Sequence, residues 1–247
     1  MNAMIAFLTS NTGHTVFKRG RYQLGPFYKE NGLHHRLAEL WPKKARMLLV
    51  ASDPDDYDMT EMLLSSTMDG LKASGFPARL TMLDRRNQDK AAELIAKSDV
   101  IQLCGGHVPT QIAFFREIGL AELLRDYDGI LIGVSAGSMN CASLVYASPE
   151  REGEATDPDY ERYIEGLGLV DLVFLPHFND LTQQWVDGLR VVEDIMLPDS
   201  FEKPFFTIPD GSYFLWEDGR LSLHGEGYWV ENGEIRQICR LNESIDL

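Results

Sequence analysis

The sequence predicts a three-layer α/β fold, in which a mainly parallel sheet is flanked by helices and continued by an antiparallel C-terminal extension. Short, nearly continuous apolar runs alternate with amphipathic stretches over most of the 247 residues. This alternation is typical of βαβ units whose parallel strands are covered on both faces. Towards the C-terminus, short strand-like runs are instead separated by Asp-Gly and Asn-Gly pairs, which favour antiparallel hairpins.

Each element is predicted from its own stretch of sequence. The parallel strands are predicted over Ile5–Leu8, Met47–Ala51, Leu80–Leu83, Val100–Leu103, Ile130–Val134 and Leu172–Leu175. The helices are predicted over Leu33–Trp41, Met59–Ser74, Asp89–Lys97, Gln111–Arg125 and Leu181–Met196. The strands of the extension are predicted over Phe205–Pro209, Ser212–Glu217, Arg220–His224, Tyr228–Glu231 and Glu234–Cys239.

No Pro- or Ser-rich linker precedes the extension, so the sequence predicts one domain over residues 1–247. Residues 149–162 are polar, acidic and punctuated by Gly and Pro, which predicts a surface loop. Residues 11–28 are polar and aromatic and are a candidate flexible flap. The tryptophans Trp41, Trp185 and Trp229 are candidates for a homodimer interface, although large aromatic residues are more often found in a core.

The composition excludes several classes of partner. A formal net charge of −15 argues against nucleic acid and against an anionic membrane surface, since both require clustered Lys and Arg. We expect a cytoplasmic protein, because no signal peptide or long apolar span is evident and the three cysteines form neither a disulfide framework nor a metal-like spacing. Neither a metal nor an organic cofactor is predicted.

The pentapeptide Gly133–Gly137 has the Gly-x-Ser-x-Gly pattern of a nucleophile elbow, with Ser135 at its centre. It follows a buried strand and precedes small residues that can begin a helix, which is the context that this pattern requires. A helix N-terminus would place backbone N–H groups beside the hydroxyl, where an oxyanion develops. The alternative interpretation is a tight strand–helix turn with a structural serine.

A nucleophilic serine needs a base, and His177 is the candidate. It stands at the carboxyl end of the run Leu172–Leu175, and the carboxyl ends of strands are where sites gather in open α/β sheets. Another loop, Cys104-Gly105-Gly106-His107, follows the run Val100–Leu103. Its glycines can turn backbone N–H groups into a pocket as an oxyanion hole, with His107 as a candidate lining residue. A simple βα turn is the alternative.

The carboxylate that would orient His177 is left open by the residues alone. Asp210 ends another apolar run, whereas Glu152, Glu154 and Asp157 lie in the acidic loop after the elbow. Each of the four carboxylates could accept a hydrogen bond from a histidine ring.

Together these segments resemble the serine peptidases of the dipeptidase E and cyanophycinase family, whose fold is related to class I glutamine amidotransferase domains. The likeness lies in four segments that occur in the family's order: Cys104–His107, Gly133–Gly137, Pro176-His177-Phe178 and Pro209-Asp210-Gly211. The order of serine, histidine and acid also differs from that of α/β-hydrolases, in which the acid precedes the histidine.

This resemblance implies Ser135 as nucleophile, His177 as general base, Asp210 as orienting acid, and Gly106 and Ala136 as oxyanion donors. The substrate would be a small peptide or amide, cleaved through an acyl-enzyme. The chain departs from dipeptidase E by having Asp210 in place of Glu and no Arg directly after Pro-His-Phe, where Arg190 is the nearest candidate. An esterase or acyl-transferase using the same serine, and a non-catalytic binding domain, are the alternative functions.

Overall fold

The computed structural model of the chain describes residues 4–18 and 21–247. The strands are β1 Ile5–Thr9, β2 Gly13–Lys18, β3 Arg21–Phe27, β4 Ala45–Val50, β5 Ala78–Leu83, β6 Val100–Leu103, β7 Ile130–Val134, β8 Leu144–Tyr146, β9 Tyr163–Glu165, β10 Phe174–Leu175, β11 Trp185–Val186, β12 Leu189–Arg190, β13 Phe205–Thr207, β14 Tyr213–Glu217, β15 Arg220–His224, β16 Gly227–Glu231, β17 Glu234–Cys239 and β18 Ser244–Asp246. The α-helices are α1 Leu33–Leu40, α2 Tyr57–Ser74, α3 Ala91–Ala96, α4 Val108–Glu117, α5 Leu120–Leu124, α6 Ala136–Met139, α7 Phe178–Leu181 and α8 Leu197–Asp199. Two 3₁₀ turns at Glu30–Gly32 and Gln88–Lys90 and a π-helix at Val191–Met196 complete the described elements.

The main sheet has eight strands within the described residues, in the order β18-β15-β14-β1-β7-β6-β4-β5. The five strands from β1 to β5 in this order are parallel, and β14, β15 and β18 extend the sheet in antiparallel fashion. The predicted fold class, a mainly parallel sheet flanked by helices with an antiparallel extension, is confirmed. The prediction of one domain over residues 1–247 stays a prediction.

Successive residues of the central strands enter two different hydrophobic cores. Leu48 and Val50 of β4 pack in one core, whereas Met47 and Leu49 pack in the other. Side chains alternate between the faces of a strand, so this division means that both faces of the sheet are covered. The near-continuous apolar runs of the sequence are the consequence of this double burial.

The predicted strand Leu172–Leu175 is shorter than expected and lies elsewhere. It is reduced to β10, which pairs with β13 in a separate four-stranded sheet of order β10-β13-β16-β17. The expectation that it belongs to the main parallel sheet is therefore wrong. A run this short carries no signal for its pairing partner, which long-range packing selects.

The predicted helix Leu181–Met196 is also wrong over most of its length. Its first residue ends α7, the β11–β12 hairpin follows, and only Val191–Met196 is helical, in π form. Asp187 and Gly188 both have positive φ, of 52° and 79°, and form the turn of the hairpin. An Asp-Gly pair favours such a turn, and this local preference overrides the helical pattern around it. The predicted helix Gln111–Arg125 is likewise divided into α4 and α5, at Gly119 with φ 64°.

The candidate flap contains the antiparallel β2–β3 hairpin, and residues 19 and 20 within it lie outside the described residues. The hairpin packs on α2. Arg21 donates a 2.9 Å hydrogen bond to Ser65, and the Phe27 N–H donates one of 2.8 Å to Ser74. Whether the segment is flexible stays a prediction. No helix in the part of the chain that the structure describes combines the length and apolarity needed to cross a membrane.

Candidate active site

Ser135 sits in a strained turn between β7 and α6. Its φ of 52° and ψ of −118° are rare for a residue with a side chain. The turn is held because the Ser135 N–H donates to the Thr9 carbonyl at 3.0 Å, and the Ser135 carbonyl accepts from Ser138 and Met139. The strand and helix thus fix the turn through the backbone, which leaves the hydroxyl available to another side chain.

The flanking glycines of the pentapeptide are explained by close packing. A Cβ on Gly137 would stand 2.2 Å from the Leu103 carbonyl oxygen, and a Cβ on Gly133 would stand 2.6 Å from the Ser138 Cα. Both contacts involve backbone atoms that cannot move aside. The Gly-x-Ser-x-Gly pattern here therefore reflects the tight crossing of α6 over the ends of two strands.

His177 reaches Ser135 from the second sheet. It follows β10 after Pro176, and its φ of 61° turns the chain into α7. Its Nε2 lies 2.9 Å from the Ser135 Oγ, and its Nδ1 lies 2.8 Å from Asp210 Oδ1. Asp210 follows β13, which runs parallel to β10, so both side chains arrive from the carboxyl ends of neighbouring strands.

The structure places Asp210, and none of the three loop carboxylates, beside His177. Burial acts to raise the pKa of Asp210, but hydrogen bonds with His177, Ser10 and Asn11 and the charge of His177 together lower it. Asp210 is therefore ionised throughout the neutral range, as a group that accepts the Nδ1–H of His177 must be. Glu154 contacts the ring of His107 instead, and Asp157 accepts a hydrogen bond from the Asp159 N–H.

Ser10 is a member of the site that the sequence analysis missed. It directly follows β1, is fully buried, and donates a 2.5 Å hydrogen bond to Asp210 Oδ1. Its hydroxyl also accepts a 3.0 Å hydrogen bond from the His177 N–H. One hydroxyl thus ties together the acid and the histidine, which lie 200 and 167 residues away in the chain. Its position at the carboxyl end of the strand next to β7 is the one signal that could have drawn attention to it.

The Ser10 contacts lead to a prediction. We expect Ser10→Ala to lower kcat about 10-fold with little change in KM, because Asp210 and the His177 backbone each lose a hydrogen bond worth about 1 kcal/mol. Steady-state kinetics on a peptide substrate, with denaturant unfolding in parallel, measures both effects. An unchanged kcat would show that Asp210 and His177 hold their geometry without Ser10.

The two glycines after β6 lie against serine residues, Gly105 against Ser135 and Gly106 against Ser52. A Cβ on Gly106 would stand 2.5 Å from the Ser52 Cβ, and a Cβ on Gly105 would stand 3.2 Å from the Ser135 Cβ. In the described part of the chain, the N–H groups of Gly106 and Ala136 have no protein acceptor. They are therefore available to a ligand oxygen, as the sequence analysis expects of an oxyanion hole.

Two clefts share Ser135, His177 and Gly106 in their linings. The first, which we call the loop cleft, has a volume of about 510 Å³ and is further lined by Glu150, Trp185 and neighbouring residues. The second, which we call the hairpin cleft, has a volume of about 580 Å³ and includes Thr15 and Leu24 of the β2–β3 hairpin together with Gln102. A substrate spanning both clefts would place its scissile bond at Ser135.

Residues 51–224 match the model of peptidase family S51. The chain belongs to peptidase family S51. Membership of this family identifies the protein as a serine peptidase-like hydrolase. It argues against the alternative of a non-catalytic binding domain. A comparison with curated proteins gives no significant match.

Two solved structures are similar to this chain over almost their whole length. One is a peptidase from an acI-B1 actinobacterium, with a TM-score of 0.60 and 15% identity, covering 100% of this chain and 97% of the other. The other is a putative peptidase E protein from Listeria monocytogenes EGD-e, with a TM-score of 0.53 and 14% identity, covering 97% and 98%. At these identities the likeness concerns the fold.

His107 differs from its expected place in this S51 peptidase. It lines neither cleft: its Nδ1 lies 2.8 Å from Thr110 Oγ1, and its Nε2 lies 2.8 Å from Glu154 Oε1. Burial and the nearby Arg151 lower the pKa of His107, although Glu154 acts in the opposite direction. Thr110 and Glu154 hold the ring beside the cleft. The expectation that His107 lines the pocket is therefore corrected, because its side chain links the loop after β6 to the 149–162 loop.

Proposed function

We propose that Ser135 is the nucleophile of a serine peptidase that cleaves a small peptide or amide through an acyl-enzyme. The observation that carries this proposal is the chain of two hydrogen bonds from Ser135 through His177 to Asp210, at 2.9 Å and 2.8 Å. With Asp210 accepting the Nδ1 proton, Nε2 is left unprotonated and accepts the proton of the serine hydroxyl.

In the proposed first step, the Ser135 Oγ attacks the carbonyl carbon of the scissile bond while His177 takes its proton. The oxyanion that forms binds the N–H groups of Gly106 and Ala136. His177 then donates the proton to the leaving amine, which departs. In the second step, water gives a proton to His177 and attacks the acyl carbon; His177 then returns the proton to the departing Ser135 Oγ, which releases the acid and restores the serine. The residues in this scheme perform each proton transfer without a cofactor.

Labelling of the wild-type protein with a fluorophosphonate probe tests the proposal. The expected result is one adduct, located on Ser135 by mass spectrometry of its tryptic peptide. A protein without an adduct, or with an adduct on another residue, contradicts the proposed nucleophile.

The substrate class needs a separate measurement, because an esterase uses the same steps. A panel of dipeptides and of matched esters is expected to show turnover of the peptides. Turnover of esters alone would favour the esterase or acyl-transferase. The relation to class I glutamine amidotransferase domains, a cytoplasmic location, a homodimer and the exclusion of nucleic acid stay predictions.

A further inference from the structure

The 149–162 loop, which the sequence predicts only as a surface loop, forms a wall of the loop cleft. Pro149 and Glu150 both line the cleft beside Ser135 and His177. The loop contains neither helix nor strand. Its position relative to the proposed nucleophile therefore depends on contacts with other elements.

Glu154 provides the first of these contacts. Oε1 of Glu154 lies 2.8 Å from Nε2 of His107, the residue that follows Gly106. Oε2 of Glu154 accepts 2.9 Å hydrogen bonds from the N–H groups of Glu150 and Arg151. Burial acts to raise the pKa of Glu154, but the two backbone donors and His107 together lower it. The ionised Glu154 carboxylate thus holds the backbone of Glu150 to the loop that carries Gly106.

Asp187 provides the second contact, from the turn of the β11–β12 hairpin. Its two oxygens accept hydrogen bonds of 2.7 and 2.9 Å from the N–H groups of Gly153 and Ala155. The same hairpin contributes Trp185 and Val186 to the cleft. The carboxylates of Glu154 and Asp187 are therefore occupied by the protein itself.

Glu150 differs from both. Its carboxylate makes no hydrogen bond or ion pair within the described residues, although Arg151 is its neighbour in the chain. It is the one acidic side chain among the residues that line the loop cleft, and no lysine or arginine side chain lines either cleft within the described part of the chain. An unpaired carboxylate on a backbone that is held beside a proposed nucleophile is suited to bind a cation.

We propose that Glu150 is a specificity determinant, which selects substrates that place a positively charged group in the loop cleft. The inference rests on the proposed function of Ser135 and names the class of its substrate. The cation is either the α-ammonium of an N-terminal residue or the side chain of a lysine or arginine, since both present N–H donors to a carboxylate. An acidic side chain in the same cleft meets no described basic residue and is repelled by Glu150. Arg190, the nearest basic candidate in the sequence, is bound to Asp194 through its backbone and guanidinium.

The charge of Glu150 depends on pH near neutrality. Burial within the cleft and the nearby Glu154 raise the pKa of Glu150 to about 7, while His177 and Arg151 act to lower it. The Glu150 side chain is exposed to solvent at one end and borders the loop cleft that His177 and Trp185 also line. The carboxylate is protonated below this pKa and charged above it, so selectivity for a cation should grow as pH rises through about 7.

The test uses four matched 7-amido-4-methylcoumarin substrates. These are the derivatives of alanine with a free amine, N-acetyl-alanine, N-acetyl-lysine and N-acetyl-aspartate. We expect kcat/KM of the wild-type protein to be about 10- to 100-fold higher for at least one cationic substrate than for N-acetyl-alanine, the range of a charge-assisted hydrogen bond. A preference for the free amine assigns the α-ammonium, and a preference for N-acetyl-lysine assigns a basic side chain.

The Glu150→Gln variant is expected to lose this preference while its rate on N-acetyl-alanine stays within about 3-fold, since the exchange removes the charge and keeps the shape. Glu152→Gln is the matched control, because Glu152 is exposed in the same loop and lines neither cleft. For the lysine substrate, whose ammonium has an unperturbed pKa of about 10.4, the ratio to N-acetyl-alanine should rise between pH 6 and about 8 in the wild type and stay flat in Glu150→Gln. Equal ratios in the wild type and in Glu150→Gln overturn the proposal.

Binding to an inactive variant separates this proposal from the proposed function. Calorimetric titration of Ser135→Ala with alaninamide, N-acetyl-lysinamide and N-acetyl-alaninamide needs no turnover. Tighter binding of a cationic amide, lost in Ser135→Ala/Glu150→Gln, supports the role of Glu150 even if the substrates are not cleaved. Equal binding of all three amides overturns it, whereas failure of the proposed nucleophile appears separately, as a wild-type protein without a fluorophosphonate adduct on Ser135.

Discussion

Replacing Ser135 with alanine is expected to lower kcat of peptide hydrolysis by about 10⁵- to 10⁶-fold, the range found when the nucleophile of a serine triad is removed. The acyl-enzyme cannot form without the hydroxyl, and the remaining catalysis is limited to oxyanion binding and substrate positioning. The fold should be unaffected, because the hydrogen bonds that hold the strained turn come from the Ser135 backbone. Steady-state kinetics and loss of fluorophosphonate labelling measure the effect.

A double variant tests whether Ser135 and His177 act as a unit. Adding His177→Ala to Ser135→Ala should slow the reaction by no more than about 3-fold further, because the base has no proton to accept once the hydroxyl is gone.

Ser143→Ala is the matched control for Ser135→Ala, since it makes the same exchange at an exposed position after α6, where the hydroxyl contacts the Val170 carbonyl. Activity of Ser135→Ala near that of Ser143→Ala contradicts the assignment of the nucleophile.

Asp210→Asn is expected to lower kcat by about 10³- to 10⁴-fold, with a small change in KM. The asparagine amide can turn its NH₂ group towards Nδ1 of His177, which moves the ring proton to Nε2, where it can no longer accept the serine proton. In the wild type, Asp210 Oδ1 has one hydroxyl partner, Ser10, and one imidazole partner, His177.

Asp157→Asn is the control for this second experiment, because Asp157 is a loop carboxylate that the sequence leaves open as the orienting acid. It should keep the wild-type kcat within about 2-fold, in line with an exposed substitution away from the site. Thermal unfolding of each variant shows whether a lower rate comes from a loss of fold. A large loss of rate in Asp157→Asn with a normal rate in Asp210→Asn would reverse the assignment of the acid.

The features of this protein that its sequence determines are those that depend on patterns within a few consecutive residues. The run Ile130–Val134 is buried along nearly its whole length, and its continuous apolar character is visible over a few residues. The elbow at Ser135 is also encoded by consecutive residues, because Gly133 and Gly137 stand where α6 packs closely on the strand ends. Asp187-Gly188 shows that two local signals can also disagree, because its turn preference overcame a helical pattern.

The tertiary structure decided how distant segments meet. Asp210, and not Glu154, lies beside His177 because β10 and β13 pair in parallel, and strands of two or three residues encode no partner. The hydroxyl of Ser10 joins groups that lie 167 and 200 residues away, so no spacing in the sequence announces it. Glu150 and Glu152 are both acidic residues of the same loop, and Glu150 differs in lining the loop cleft beside Ser135. Hydrogen bonds and charge pairs act over a few ångströms of space, and only the folded chain brings these residues within that range.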